Sequence, residues 1–146
     1  MSAGAIRPGV FSAMEVAASG MSAERSRMNI VAGNLANART TRTAEGGPYK
    51  RLDPVFQAKS LAPRAFDPIL RRVETVEVAE VRADPTPGMM VYEPGHPDAN
   101  EAGYVRYPDI DTTQELVKLM DAKRIYEANA AVFSTAKSML RAALDI

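Results

Sequence analysis

From Asp111 to the end of the chain there is neither glycine nor proline, and apolar residues recur through that stretch on two adjoining seven-residue rows. Ile125, Val132, Met139 and Ile146 form one row, and Leu119, Tyr126, Phe133 and Leu140 form the other. Ala122, Asn129, Ala136 and Ala143 lie between them. Seven residues are close to two helical turns, so both rows fall on one side of a single uninterrupted helix and give it a broad apolar stripe. Asp111 or Thr112 supplies an N-cap, and Glu115 lies in the first turn, where a carboxylate favours the positive end of the helix dipole. Such a helix is about 50 Å long, and it needs a companion of comparable length.

The opposite end of the chain supplies one. Met14, Met21, Met28 and Leu35 also recur every seven residues, and Phe11, Ala18 and Ala32 stand three ahead of three of them. This gives an a/d-type seam interrupted by Arg25. Ser12 with Glu15 has the form of a capping box, so a helix is expected over residues 13 to 38, about 39 Å long. Residues 1 to 9, with Gly4, Pro8 and Gly9, read as a tail. Two long helices at the two ends predict an α+β fold, in which the N- and C-terminal helices pack as an antiparallel coiled-coil-like pair around a small strand-rich middle region.

The middle is set apart by its punctuation, since most of the ten prolines and most of the nine glycines lie between the helices. Residues 73 to 83, VETVEVAEVRA, read as a strand whose apolar phase slips between Val73 and Val76, so a bulge is expected there. MMVY at 89 to 92 and YVRY at 104 to 107 read as further short strands, separated by the turn-rich EPGHPDANEAG. Residues 49 to 57 add a strand that Pro54 confines to a sheet edge, and LAPRAFDP at 61 to 68 reads as a loop. The expected organisation is therefore an N-terminal helix and exit turn (1–42), a strand- and loop-rich middle (43–108) and a C-terminal helix (109–146).

Composition closes off several chemistries. Lys plus Arg and Asp plus Glu number 18 each, so no long-range field draws in nucleic acid or an anionic membrane. No cysteine is present, which removes disulfides, thiolate metal sites and a thiol nucleophile. The start lacks the apolar core and cleavage site of a signal peptide, so a conventional leader is not expected. His96 is the sole histidine and sits in a Gly-Pro loop. Asp109 and Asp111 flank a helix start, where capping explains them, and Ser134 and Thr135 have no histidine partner or nucleophile-elbow glycines. No phosphate-binding loop occurs. The expectation is no enzyme, no cofactor, no metal and no small-molecule substrate; a small hydrolase built on Asp109, Asp111 and His96 is the weakest alternative. The apolar stripes are wider than a two-helix seam consumes, so other copies or other chains are expected to cover them.

Two stretches carry a resemblance. SGMSAERSRMNIVAGNLANARTT, followed by GGPYKR, resembles the amino-terminal signature of bacterial flagellar rod, hook and related axial proteins. VYEPGHPDANEAGYVRYPDIDTTQELVKLMDAKRIYEANAAVFSTAKSML is similar to the C-terminal part of the rod proteins of that group. Together they span roughly residues 12 to 57 and 89 to 144. The resemblance implies a structural rod subunit of the flagellar basal body that assembles helically and transmits torque. It implies export by the flagellar type III apparatus without a cleaved signal peptide, assembly in the periplasm, and contacts with itself, with other rod proteins and with the MS ring and export-gate region. It also implies that Asn34, Leu35, Ala36, Asn37 and Thr41 form a signature turn leading out of the first helix and packing against a neighbour. Asn37 is expected to enter the left-handed conformation that closes a helix, with Asn and Thr side chains bonding the orphaned backbone groups. The rival reading is a soluble helical adaptor or chaperone-like module that uses the same stripes to hold one partner.

Overall fold

The computed structural model describes residues 6–61 and 73–145, with side chains from Gly9 onward. In chain order the elements are α1 (Ile6–Ala36), β1 (Leu52–Ser60), β2 (Glu74–Ala83), β3 (Met89–Tyr92), β4 (Tyr104–Tyr107) and α2 (Thr112–Leu144). The expected α+β architecture is what forms. Two long helices pack side by side, β1 pairs antiparallel with β2, and β3 pairs antiparallel with β4. The expected loop over 61–68 falls almost wholly outside the described residues.

α2 begins where the sequence places it. Asp111 is the N-cap, its carboxylate accepting from the Thr113 and Gln114 amides, and the 33-residue helix ends at Leu144. α1 departs from expectation at its start: it runs 31 residues from Ile6, so residues 6–9 belong to the helix. Ser12 is no cap. It sits inside the helix and donates to the Gly9 carbonyl at 3.0 Å. A capping box is only one use of a serine near a helix start, and back-bonding to a carbonyl three residues earlier is another.

The seam between the helices also differs from the expected one. Val10, Ala17, Glu24 and Val31 are the buried seven-residue row of α1, with Met14, Met21, Met28 and Leu35 half-buried beside them. Phe11, Ala18, Arg25 and Ala32, the expected partner row, face outward; Phe11 is 50% exposed. Either row flanks the methionines equally well in sequence. The observed choice puts Ala17 at the contact, whereas the other would wedge Phe11 and Arg25 between the helices. On α2 the buried row is Glu115, Ala122 and Ala136, with Asn129, Leu119, Tyr126, Phe133 and Leu140 half-buried around it. Gly20 meets Asn129 and Asn34 meets Glu115, so the helices run antiparallel.

The β1–β2 ribbon leans on α1. Its pairing runs from Leu52 opposite Ala83 to Ser60 opposite Glu74, and the register shifts between Val55 and Phe56, leaving Ala79 as the extra residue. The bulge was expected near Val73–Val76 and is found three residues beyond Val76. Its effect is clear from the alternation: Val76 and Val78 are even-numbered, Val81 and Ala83 odd, and one extra residue keeps all four on one face. The other face carries Gln57, Lys59 and Glu77, with Gln57 and Lys59 both bonded to the Glu77 carboxylate and holding it below the usual carboxylate range. Ser19 of α1 accepts a hydrogen bond from the Val76 amide at 3.2 Å, covering one edge group of β2. Pro54 lies in β1, an edge strand of this two-stranded sheet, as its missing amide requires.

Candidate functional site

Asn34 is fully buried at the last turn of α1, and every hydrogen-bonding valence of its amide is used. Its Nδ2 donates to the Leu52 carbonyl at 2.8 Å and to Glu115 Oε2 at 2.9 Å. Its Oδ1 accepts from the Leu52 amide at 2.9 Å and from the Tyr49 hydroxyl at 3.1 Å. The side chain thus pairs with the backbone of Leu52 as a neighbouring strand would, at the first residue of β1. One residue ties the end of α1, the start of β1 and the first turn of α2.

The path that returns the chain to Asn34 is built by glycine. Gly46 and Gly47 take φ of 84° and 78°, values that L side chains resist. They close a turn in which the Gly46 amide donates to the Thr43 carbonyl and the Thr43 amide to the Gly47 carbonyl, and the Tyr49 amide then reaches the Thr40 carbonyl at 3.0 Å. Tyr49 arrives beside Asn34 and Glu115. Burial, reinforced by the Glu115 charge, pushes its phenol above the ordinary value of 10.0.

Glu115, 1% exposed, is the residue that sequence reasoning passed over. Its Oε2 takes the Asn34 amide and its Oε1 takes Lys118 Nζ at 2.7 Å. Lys118 also approaches Asp53 Oδ1 at 3.5 Å, Asp53 accepts from Arg51 Nε at 3.2 Å, and Arg51 reaches Asp84 at 2.6 Å. The result is a ladder of charges from α2 across β1 to the segment after β2. A buried carboxylate is tolerable only when paired in this way.

The rest of the signature turn is accounted for within the chain. Asn37 donates through Nδ2 to the Gly33 carbonyl at 2.9 Å, the same carbonyl that its own amide reaches at 3.1 Å, and accepts from the Thr40 hydroxyl at 3.1 Å. The expected left-handed conformation does not form: among the described residues only glycines have positive φ. The chain leaves the helix instead through backbone bonds from the Ala38 amide to the Leu35 carbonyl and from the Thr40 amide to the Asn37 carbonyl. Thr41 donates to Asp98 Oδ2 at 2.7 Å and Arg42 pairs with Asp98 Oδ1 at 3.0 Å. These bonds fasten the β3–β4 turn to the helix exit. His96 accepts from the Asp98 amide through Nδ1 at 3.0 Å and braces the same loop. Leu35 is half-buried and Ala36 exposed.

The two α2 rows part company. Leu119, Tyr126, Phe133 and Leu140 line the seam, and Tyr126 receives a hydrogen bond from exposed Arg25 at 3.3 Å. Ile125, Val132 and Met139 lie on the surface at 43, 50 and 55% exposure. Ala128, Thr135 and Ala142 fill the turns between them, so this face carries no charge over about 17 residues. On the far side, Lys123 and Glu127 pair at 3.6 Å and Lys137 and Arg141 stand exposed.

A helix ending in a polar latch, a ribbon, a short hairpin and a return helix with an exposed apolar face fits the axial subunit that the sequence resemblance implies. Comparison with known families agrees. The family described as "Flagella basal body rod protein" matches residues 14–42, and "Flagellar basal body rod FlgEFG protein C-terminal" matches residues 101–146. The chain is 36% identical to the flagellar basal-body rod protein FlgC of Borreliella burgdorferi, over 94% of this chain and 97% of the relative. It is 42% identical to FlgC of Aquifex aeolicus over 89% and 91%, and 39% identical to FlgC of Escherichia coli O157:H7 over 90% and 93%. The chain belongs to the FlgC family of flagellar basal-body rod proteins, and it is a structural subunit of the rod that associates with other basal-body components.

Proposed function

We propose that the chain serves in the proximal part of the rod, with residues 1–42 and 109–146 forming the axial helical core and residues 43–108 facing outward. The observation that carries this reading is the uncharged α2 face of Ile125, Val132 and Met139, exposed on a helix whose other apolar row is already spent on α1. An apolar face of this length on a lone chain is a contact surface. Packed against a different surface of the next subunit it gives a heterologous interface that does not close, and repetition of it gives a helical array. Torque then passes through many small interfaces in parallel.

Met14, Met21, Met28 and Leu35, with Leu119, Tyr126, Phe133 and Leu140, hold the helix pair together and complete the surface that neighbours meet. Contacts extend to other rod proteins and to the MS ring and export-gate region. Assembly takes place in the periplasm after export without a cleaved signal peptide. The role is structural, not catalytic: Asp111 is spent as a helix cap and His96 as a loop brace.

Replacing Ile125 and Val132 together with Asp tests the reading. Because both side chains are surface-exposed in the free chain, the variant keeps its helix content by circular dichroism but no longer enters the rod. Normal rods and normal motility with that variant would count against the proposal.

A further inference from the structure

A slip of the two helices by seven residues would lay like against like over most of their shared length. Met14, Met21 and Met28 succeed one another on α1, and on α2 Ala122 and Ala136 flank Asn129 at the same spacing. Small and flexible side chains set the distance between helices but not their stagger. Charge does not settle it either. A slip in one direction sets Arg27 opposite Glu115, which is an acceptable ion pair.

We infer that Gly20 and Asn129 form a register pin, an element of the seam that, beside the Asn34–Glu115 contact, favours one stagger. A Cβ built on Gly20 would lie 2.6 Å from Asn129 Nδ2, 2.9 Å from Cγ and 3.1 Å from Oδ1. Three amide atoms thus lie over the bare glycine backbone, and a side chain at that position would oblige the Asn129 amide to move. One heptad to either side of Gly20 stand Ala13 and Arg27. A slip would bring the amide onto a methyl group or a guanidinium side chain, and only the observed stagger meets a notch.

The pin works together with the Asn34–Glu115 latch. Asn34 lies fourteen residues beyond Gly20, and Glu115 fourteen residues before Asn129. The two polar contacts are therefore two heptads apart on both helices, about 21 Å, and one stagger satisfies both. Its consequence reaches the surface, because stagger decides which part of the Ile125, Val132 and Met139 row lies beside Val16, where Val132 stands now. A polar residue at one position of a helix seam is a known means of fixing register.

The cysteine-free chain allows a direct test with spin labels on Asn29→Cys and Arg124→Cys, two exposed positions between the pins. The otherwise unchanged chain gives one narrow label-to-label distance by pulsed electron resonance. Gly20→Ala broadens that distribution or adds a population displaced by up to about 10 Å, the rise of seven residues. Asn129→Ala introduces no clash and broadens it as well, so it decides the matter should Gly20→Ala fail to fold. A single unchanged distance in Asn129→Ala, or in a folded Gly20→Ala, would overturn the assignment.

Discussion

Asn34→Ala removes four hydrogen bonds at once and leaves the Leu52 backbone, the Tyr49 hydroxyl and one Glu115 oxygen short of a partner. The expected loss is about 3 kcal/mol in urea unfolding, the range for stranding several buried polar groups. Asn34→Asp is worse at neutral pH, because it exchanges the donors for a second carboxylate beside Glu115. Tyr49 makes a prediction at the other end of the pH scale. Its phenol is raised in the fold, first by burial and then by Glu115. The stability it contributes is therefore complete below the unfolded value of 10.0 and is lost as pH rises through the folded value. Tyr49→Phe should remove that alkaline component from a plot of stability against pH, and an unchanged alkaline slope would show that the phenol does not feel the latch. At this scale the sequence was half legible. Asn34 and Asn37 stand out in NLANARTT because asparagine in helix has to be doing something polar. Glu115 did not, since a glutamate in a first turn is already explained by the helix dipole. Its burial depends on Asn34, 81 positions away, and on a tyrosine brought back by two glycines.

Helix existence was the most legible feature, because seven-residue rows over more than thirty residues leave little alternative. Which row forms the seam was not. A methionine row is flanked equally by residues three behind and four behind, and the choice between Phe11/Ala18/Arg25 and Val10/Ala17/Glu24 is made by how closely α2 must approach. The ribbon shows the same limit: VETVEVAEVRA announces a phase slip, but only pairing with β1 decides that Ala79 absorbs it. The seam chosen has one costly member. Glu24 is buried, its Oε2 has no hydrogen bond, and Arg27 Nη1 is 3.6 Å away. Glu24→Leu should raise stability by about 1 kcal/mol, since apolar replacement of a poorly satisfied buried charge is neutral or favourable. A lower midpoint in urea would mean that Glu24 has a partner in solution.

For the whole molecule, the long helix pair and the strand-rich middle form one chain-wide arrangement hinged on the latch, and the exposed α2 face is the surface that we propose the subunit offers its neighbours. A closed adaptor complex would cover that face in a discrete dimer or tetramer, which sedimentation over a wide concentration range would show. The rod reading requires a chain that stays monomeric until it polymerises. The most direct measurement is thiol labelling of Val132→Cys, the only cysteine in the variant. The account predicts rapid reaction with a water-soluble maleimide in the purified chain, where Val132 is half exposed, and protection of the same residue in isolated basal bodies. Equal labelling in both would contradict it, because the α2 face would then remain open to water inside the rod.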